Sequence, residues 1–91
     1  MPDYRKADSF KKDYERLSEE IKQEARKAFK LFQENPGHPS LYIHRLGGQK
    51  GIWGGHITEK YVFTFHKETG EDGTLIYKFR RIGDHTIYKK P

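Results

Sequence analysis

The side chains best able to move protons beside a phosphate are concentrated in the second half of this 91-residue chain. All five histidines, His38, His44, His56, His66 and His85, fall after residue 35. Residues 36–91 hold nine Lys and Arg against five Asp and Glu, whereas residues 1–35 hold nine against eight. Imidazole titrates near neutral pH and serves as acid or base, each role being worth about 10²–10⁴ in rate. Lys and Arg donate to non-bridging phosphate oxygens and stabilise charge developing there. A formal net charge of +5 and a pI near 9.5 fit a polyanionic partner. Charge by itself does not separate a nucleic acid from an acidic protein.

Within that half, His85 is the first candidate for proton transfer, because it sits just past the last expected strand and can project over an open sheet face. The alternative for His85 is a capping role after Gly83. His44 and His56 fall on neighbouring expected strands, which can bring them close; otherwise they are exposed polar strand positions. Lys60 and Arg80 are candidates for the charge-stabilising part of the site. Arg81, Arg45, Lys50, Lys89 and Tyr88 are candidate contacts to a polyanion, Tyr88 by stacking on a base or donating to a phosphate if the partner is a nucleic acid. Neighbouring strand residues point to opposite faces, so Arg80 and Arg81 are not expected to share a site, and Arg80 is assigned to the open side. Histidines at this spacing without a carboxylate cluster make a poor zinc site, and the chain has no cysteine, which excludes disulfides and thiolate ligands. No metal and no cofactor are expected.

The elements that must position these residues change period midway. A weak strand signal surrounds Tyr4-Arg5-Lys6. Asp8 or Ser9 can then cap a short helix carrying Phe10, Tyr14 and Leu17 on one face. Ser18, with Glu19 and Glu20 in the first turn, opens a second helix whose stripe of Ile21, Ala25, Ala28, Phe29 and Phe32 runs to Asn35 before Pro36-Gly37 ends it. From Leu41 the period becomes 2. Strands are expected over Leu41–Leu46, Ile52–Ile57, Tyr61–His66 and Leu75–Ile82, joined by a Gly47–Gly51 turn, a Thr58–Lys60 turn and a Lys67–Gly73 loop. Short connections favour an antiparallel meander. The sequence therefore predicts one α+β domain over residues 1–91, of order β-α-α-β-β-β-β, with the helix hairpin packed on one face of a twisted antiparallel sheet. The other face is left free for function. The N-terminal residues form no apolar leader and no run approaches a membrane span, so a soluble cytoplasmic protein is expected.

The order short strand, helix hairpin, Asn35-Pro36, strand, Gly-rich turn and meander resembles the RelE/ParE superfamily of toxins. Its most specific parts here are Leu46-Gly47-Gly48, Ile57-Thr58-Glu59-Lys60-Tyr61 before an aromatic strand, and the ending Ile82-Gly83-Asp84-His85-Thr86-Ile87-Tyr88. The resemblance covers nearly the whole chain. It implies the toxin of a type II toxin–antitoxin system, nearest the RelE/YafQ-like branch: a ribosome-dependent endoribonuclease that cuts mRNA in the decoding site by metal-independent acid/base attack of the 2′-hydroxyl. It further implies an antitoxin partner, the 70S ribosome and mRNA as targets, and a monomer when free. RelE-like members place an arginine where this chain has Val62. The YafQ-like branch lacks that arginine and uses histidines, at places similar to His44, His56 and His85, with an acidic residue where this chain has Lys60. The same superfamily includes ParE-like gyrase inhibitors, and the Val62 departure equally suits a catalytically degenerate member that only binds an antitoxin.

Overall fold

The computed structural model describes residues 2–48 and 50–91; Gln49, in the expected Gly47–Gly51 turn, lies outside them. The chain runs β1 (Asp3–Lys6), α1 (Asp8–Glu15), α2 (Glu19–Glu34), a 3-10 turn (Pro39–Leu41), β2 (His44–Arg45), β3 (Trp53–His56), β4 (Tyr61–Thr69), β5 (Leu75–Asp84) and a C-terminal 3-10 helix (His85–Lys89). The strands form one five-stranded sheet of order β1-β5-β4-β3-β2. This is the expected α+β architecture, with one pairing of opposite sense. β2 to β5 form the antiparallel meander, but β1 runs parallel to β5, Tyr4 beside Tyr77 and Lys6 beside Phe79.

Both helices form for the reasons their sequences suggest, with a different start for α1. Ser18 accepts from the Ile21 amide and caps α2. Neither Asp8 nor Ser9 caps α1: Ala7 holds that position without a side-chain bond. Its amide instead donates to Phe79 O, while Ser9 Oγ donates to Arg80 O at 2.6 Å, so the entry to α1 is tied to β5. The stripe on α2 buries Ala25, Ala28 and Phe32, and α1 buries Phe10. These meet Phe63, Phe65, Tyr77, Phe79 and Ile82 of the sheet in a core made largely of aromatic rings.

Two expected strands are shorter than the sequence suggested and two are longer, β5 running to Asp84 and not Ile82. Pro39, which lacks an N–H, starts a 3-10 turn capped by His38, whose Nδ1 accepts from Ser40 N. Leu41 is buried there and Tyr42 adopts a left-handed conformation, φ 47°, so only His44 and Arg45 of the expected Leu41–Leu46 strand join the ladder. β3 spans Trp53–His56 rather than Ile52–Ile57. β4 runs on to Thr69, paired with Leu75, and takes in the first part of the expected Lys67–Gly73 loop.

Beyond Phe79, β5 has no strand on the β1 side, and Asp13 of α1 covers that gap. Its carboxylate accepts from Ile82 N at 3.2 Å, Arg81 Nε at 2.6 Å and Arg81 Nη2 at 3.2 Å. Asp13→Ala strands a main-chain donor and a guanidinium, so urea denaturation is expected to show a loss of about 1–3 kcal/mol. Among the described residues, no helix is long and apolar enough to cross a membrane.

Candidate active site

The face of the sheet opposite the helices carries the histidines, and the strand register explains how. His44 lies opposite Gly54, and His56, two residues on from Gly54, opposite Val62. Side chains two apart share a face, so the two imidazoles stand side by side. Val62 in turn pairs with Gly83, and Tyr61 with Asp84, which brings the C-terminal 3-10 helix beside them. Asp84 caps that helix by accepting from Thr86 N at 2.9 Å and from Thr86 Oγ1. The ring centroids of His56 and His85 are 5.8 Å apart and those of His44 and His56 6.4 Å. Tyr88 closes the group, edge-on to His44 at 6.0 Å and to His85 at 5.7 Å, and Tyr42 lies 5.2 Å from His56.

The close seating of Tyr88 requires glycine beneath it. A Cβ on Gly54 would lie 2.8 Å from the Tyr88 hydroxyl and 2.9 Å from Leu46 Cδ2. Gly54→Ala is therefore expected to push the Tyr88 ring out of the cluster, at a cost of about 1–3 kcal/mol. Loss of nuclear Overhauser contacts between Tyr88 and His44 would register it; contacts that persist would contradict the seating.

Electrostatics separate the members of the cluster. His44 Nδ1 lies 2.7 Å from Tyr42 O, and a carbonyl only accepts, so the neutral ring carries its proton there and leaves Nε2 as the acceptor. Burial lowers the His56 pKa below its ordinary 6.5, helped by His85 and His44. The Thr86 bonds hold the Asp84 carboxyl below the usual range, so it is ionised beside His85. Burial pushes Tyr88 up to about 12, and its hydroxyl is buried without a hydrogen-bond partner among the described residues. Among those residues, no three His, Cys, Asp or Glu side chains are arranged to hold a metal ion.

Sequence reasoning and structure diverge over the cations. Val62 is fully buried between His56 and Gly83, outside the main core cluster, as is Ile87, which packs from the C-terminal helix toward the same face. Lys60 and Lys50 are exposed in the two turns flanking β3, and Lys89 is exposed at the end of the C-terminal helix. Arg45 pairs with Trp53, whose ring stacks on core Phe65, and its guanidinium lies 5.1 Å from the Trp53 ring centre, on the helix side. The expected alternation of Arg80 and Arg81 fails, because a bulge between Thr64 and Phe65 interrupts the β4–β5 register there. Both guanidiniums reach the C-terminal segment: Arg80 Nε donates to Pro91 O at 3.0 Å, and Arg81 Nη1 to Lys90 O at 3.1 Å. Arg81 is also spent on Asp13, whose hydrogen bonds raise its pKa further.

His66, Glu68 and Thr64 were not singled out from sequence, although the period-2 alternation of β4 places Thr64 and His66 on one face. Arg80 Nη1 lies 2.9 Å from His66 Nδ1, and His66 Nε2 lies 2.7 Å from Glu68 Oε2. Asp13 carries no sequence signal for its role.

The same fold recurs among solved structures. A YoeB/ParE toxin from Agrobacterium tumefaciens superposes with a TM-score of 0.73 at 16% identity, over 91% of this chain and 98% of that one. YafQ from E. coli strain BL21(DE3) gives 0.72 at 19%, over 94% and 96%. The RelB–RelE antitoxin–toxin complex from Methanococcus jannaschii gives 0.66 at 21%, over 96% and 99%. The chain has the RelE-like toxin fold. No family model matches the sequence, and no curated protein does. Within the RelE-like fold, the histidine face described above is built from the meander and the C-terminal helix.

Proposed function

We propose that this protein is the toxin of a type II toxin–antitoxin system and that it cleaves mRNA on the ribosome. The observation that carries the reading is the cluster of His44, His56 and His85 around Tyr88 on one sheet face. RNA cleavage by its own 2′-hydroxyl needs a base for that hydroxyl and an acid for the 5′-oxygen that leaves. The products are a 2′,3′-cyclic phosphate and a 5′-hydroxyl. His56, whose pKa is lowered, is the base, and His85 supplies the proton to the leaving oxygen. His44, with its free Nε2, orients the attacking hydroxyl. Tyr88, its hydroxyl buried over Gly54, packs edge-on against His44 and His85 and holds them in place, and Lys60 adds charge.

An antitoxin partner has a separate place. A cavity of about 560 Å³ between α1, α2 and β1 has Tyr4, Phe10, Phe29 and Phe79 in its wall and Lys6, Lys11, Arg26 and Lys30 around it. None of the three clustered histidines lines it. β1 pairs only with β5, so its outer edge is open to an added strand. A second reading, a catalytically silent antitoxin-binding fold, is favoured by buried Val62 at the place of the family arginine.

Added to a cell-free translation mixture, the protein is expected to stop incorporation of labelled amino acid while leaving gyrase supercoiling untouched. Continued synthesis at an excess over ribosomes would overturn the reading. The His56 assignment has its own check in the histidine ring resonances. His56 is expected to titrate below pH 6.5, and to move back toward that value in His44→Ala. The linked stability has a definite sign. The unfolded state binds the proton more readily, so the His56 contribution is greatest above the unfolded pKa. It declines as pH falls through about 6.5 toward the lower folded value.

A further inference from the structure

A second group of donors converges on the same face, away from the histidines, and its occupant is the chain itself. Arg80 Nε and Thr64 Oγ1 both donate to Pro91 O, at 3.0 and 3.3 Å, and Arg81 Nη1 donates to Lys90 O at 3.1 Å. Thr64 is fully buried. The bulge at Thr64/Phe65 lets two successive arginines serve one place. His44 and Arg81 stand at opposite ends of one cross-strand row, His44–Gly54–Thr64–Arg81. Three strand spacings, about 14 Å, separate their backbones. The arginines are tied to the C-terminal segment and not to the imidazoles.

Arg80 is held independently of the tail. A guanidinium only donates, so His66 Nδ1 is the acceptor in its bond with Arg80, and the ring proton lies on Nε2, donated to Glu68. The Glu68 carboxylate is kept below its usual range, first by that bond.

We propose that Arg80, Thr64 and the Nη1 of Arg81, whose Nε and Nη2 stay on Asp13, form a second phosphate subsite, for a single-stranded RNA backbone phosphate flanking the one that is cut, and that Lys90–Pro91 occupies it in the free protein. The proposal rests on the RNA-cleaving reading. The tail offers only two oxygens to these donors, whereas an RNA strand brings several phosphates that engage the basic face together. RNA therefore displaces the tail, and the tail lowers the apparent affinity by the fraction of molecules in which it is seated. His66 and Glu68 act as positioning residues that keep Arg80 in place during the exchange.

The probe is a short single-stranded RNA with 2′-O-methyl riboses, which cannot be cleaved, so the result does not depend on catalysis. Binding is read by fluorescence anisotropy for the full chain and for a variant lacking Lys90 and Pro91. The deletion removes a positive charge, which by itself would weaken binding. Tail displacement instead makes it tighter by about threefold to tenfold. Unchanged or weaker binding would overturn the proposal. In the intact chain, the same RNA is expected to shift the Arg80 and Arg81 Nε resonances, and His66→Ala to weaken RNA binding with the fold retained. Resonances unmoved at saturating RNA would overturn it as well. Inorganic phosphate, run in parallel, should move them far less at equal concentration; an equal shift would overturn the assignment to an RNA backbone. Failure here leaves cleavage at the histidines standing, and loss of cleavage alone leaves these binding results standing.

Discussion

Replacing His85 by alanine is expected to slow single-turnover cleavage of ribosome-bound mRNA by about 10²–10⁴-fold, the value of one positioned acid or base. His85 is exposed and makes ring contacts with His56 and Tyr88, so its loss removes a proton donor without opening the core. Thermal unfolding should therefore remain close to that of the parent, since exposed substitutions usually change stability by no more than about 0.5 kcal/mol. His56→Ala is expected to act on the same scale from the base side. The double variant should be little slower than either single one, because groups acting as a unit are not additive. Cleavage within about threefold of the parent in His85→Ala would be far below the contribution of an acid catalyst and would remove that role.

The largest expected loss of stability lies far from the histidines, at Phe32. The ring is fully buried, with Tyr4, Phe63, Phe65, Tyr77 and Phe79 around it in edge-on arrangements. It ties α2 to β1, β4 and β5 at once. Phe32→Ala removes the buried ring and leaves a cavity among side chains that can only partly close, costing about 3–5 kcal/mol. A domain of this size holds roughly 5–15 kcal/mol in total, so the variant should be partly unfolded at 37 °C. Equilibrium urea denaturation measures this directly. A loss below about 1 kcal/mol would mean that α2 is not the element that closes the core.

These two residues also mark how much could be read from the sequence. Phe32 was legible because α2 repeats Ile21, Ala25, Ala28 and Phe29 at helical spacing, and that pattern has one buried side. The meander was legible from short turns between alternating strands. The place of His85 followed from its position just past β5. The parallel β1–β5 pairing was not legible, because nothing local in Asp3–Lys6 specifies a partner more than 70 residues away. Nor could the bulge at Thr64/Phe65 be read, since it arises where β4 and β5 meet and cancels the alternation that would have sent Arg80 and Arg81 to opposite faces. The 3-10 turn at Pro39 was hidden beneath an apolar run, Leu41-Tyr42-Ile43, that fits a strand equally well. Asp13 looked like one more surface acid of α1, and only the tertiary fold sets it against Arg81 and Ile82.

Val62 gives the central claim its sharpest test. The row His56–Val62–Gly83 has an aliphatic side chain where RelE-like toxins are expected to carry an arginine, so the proposed cleavage would rest on the imidazoles with Lys60. Primer extension on a defined mRNA in a reconstituted translation mixture asks whether they do. The protein is added with ribosomes, without ribosomes, and as His85→Ala. The expected result is a set of cuts at codon-phased positions, dependent on ribosomes and lost in the variant, with 2′,3′-cyclic phosphate ends on the upstream fragments. An intact message under all three conditions would contradict the claim and leave an antitoxin-binding fold without cleavage.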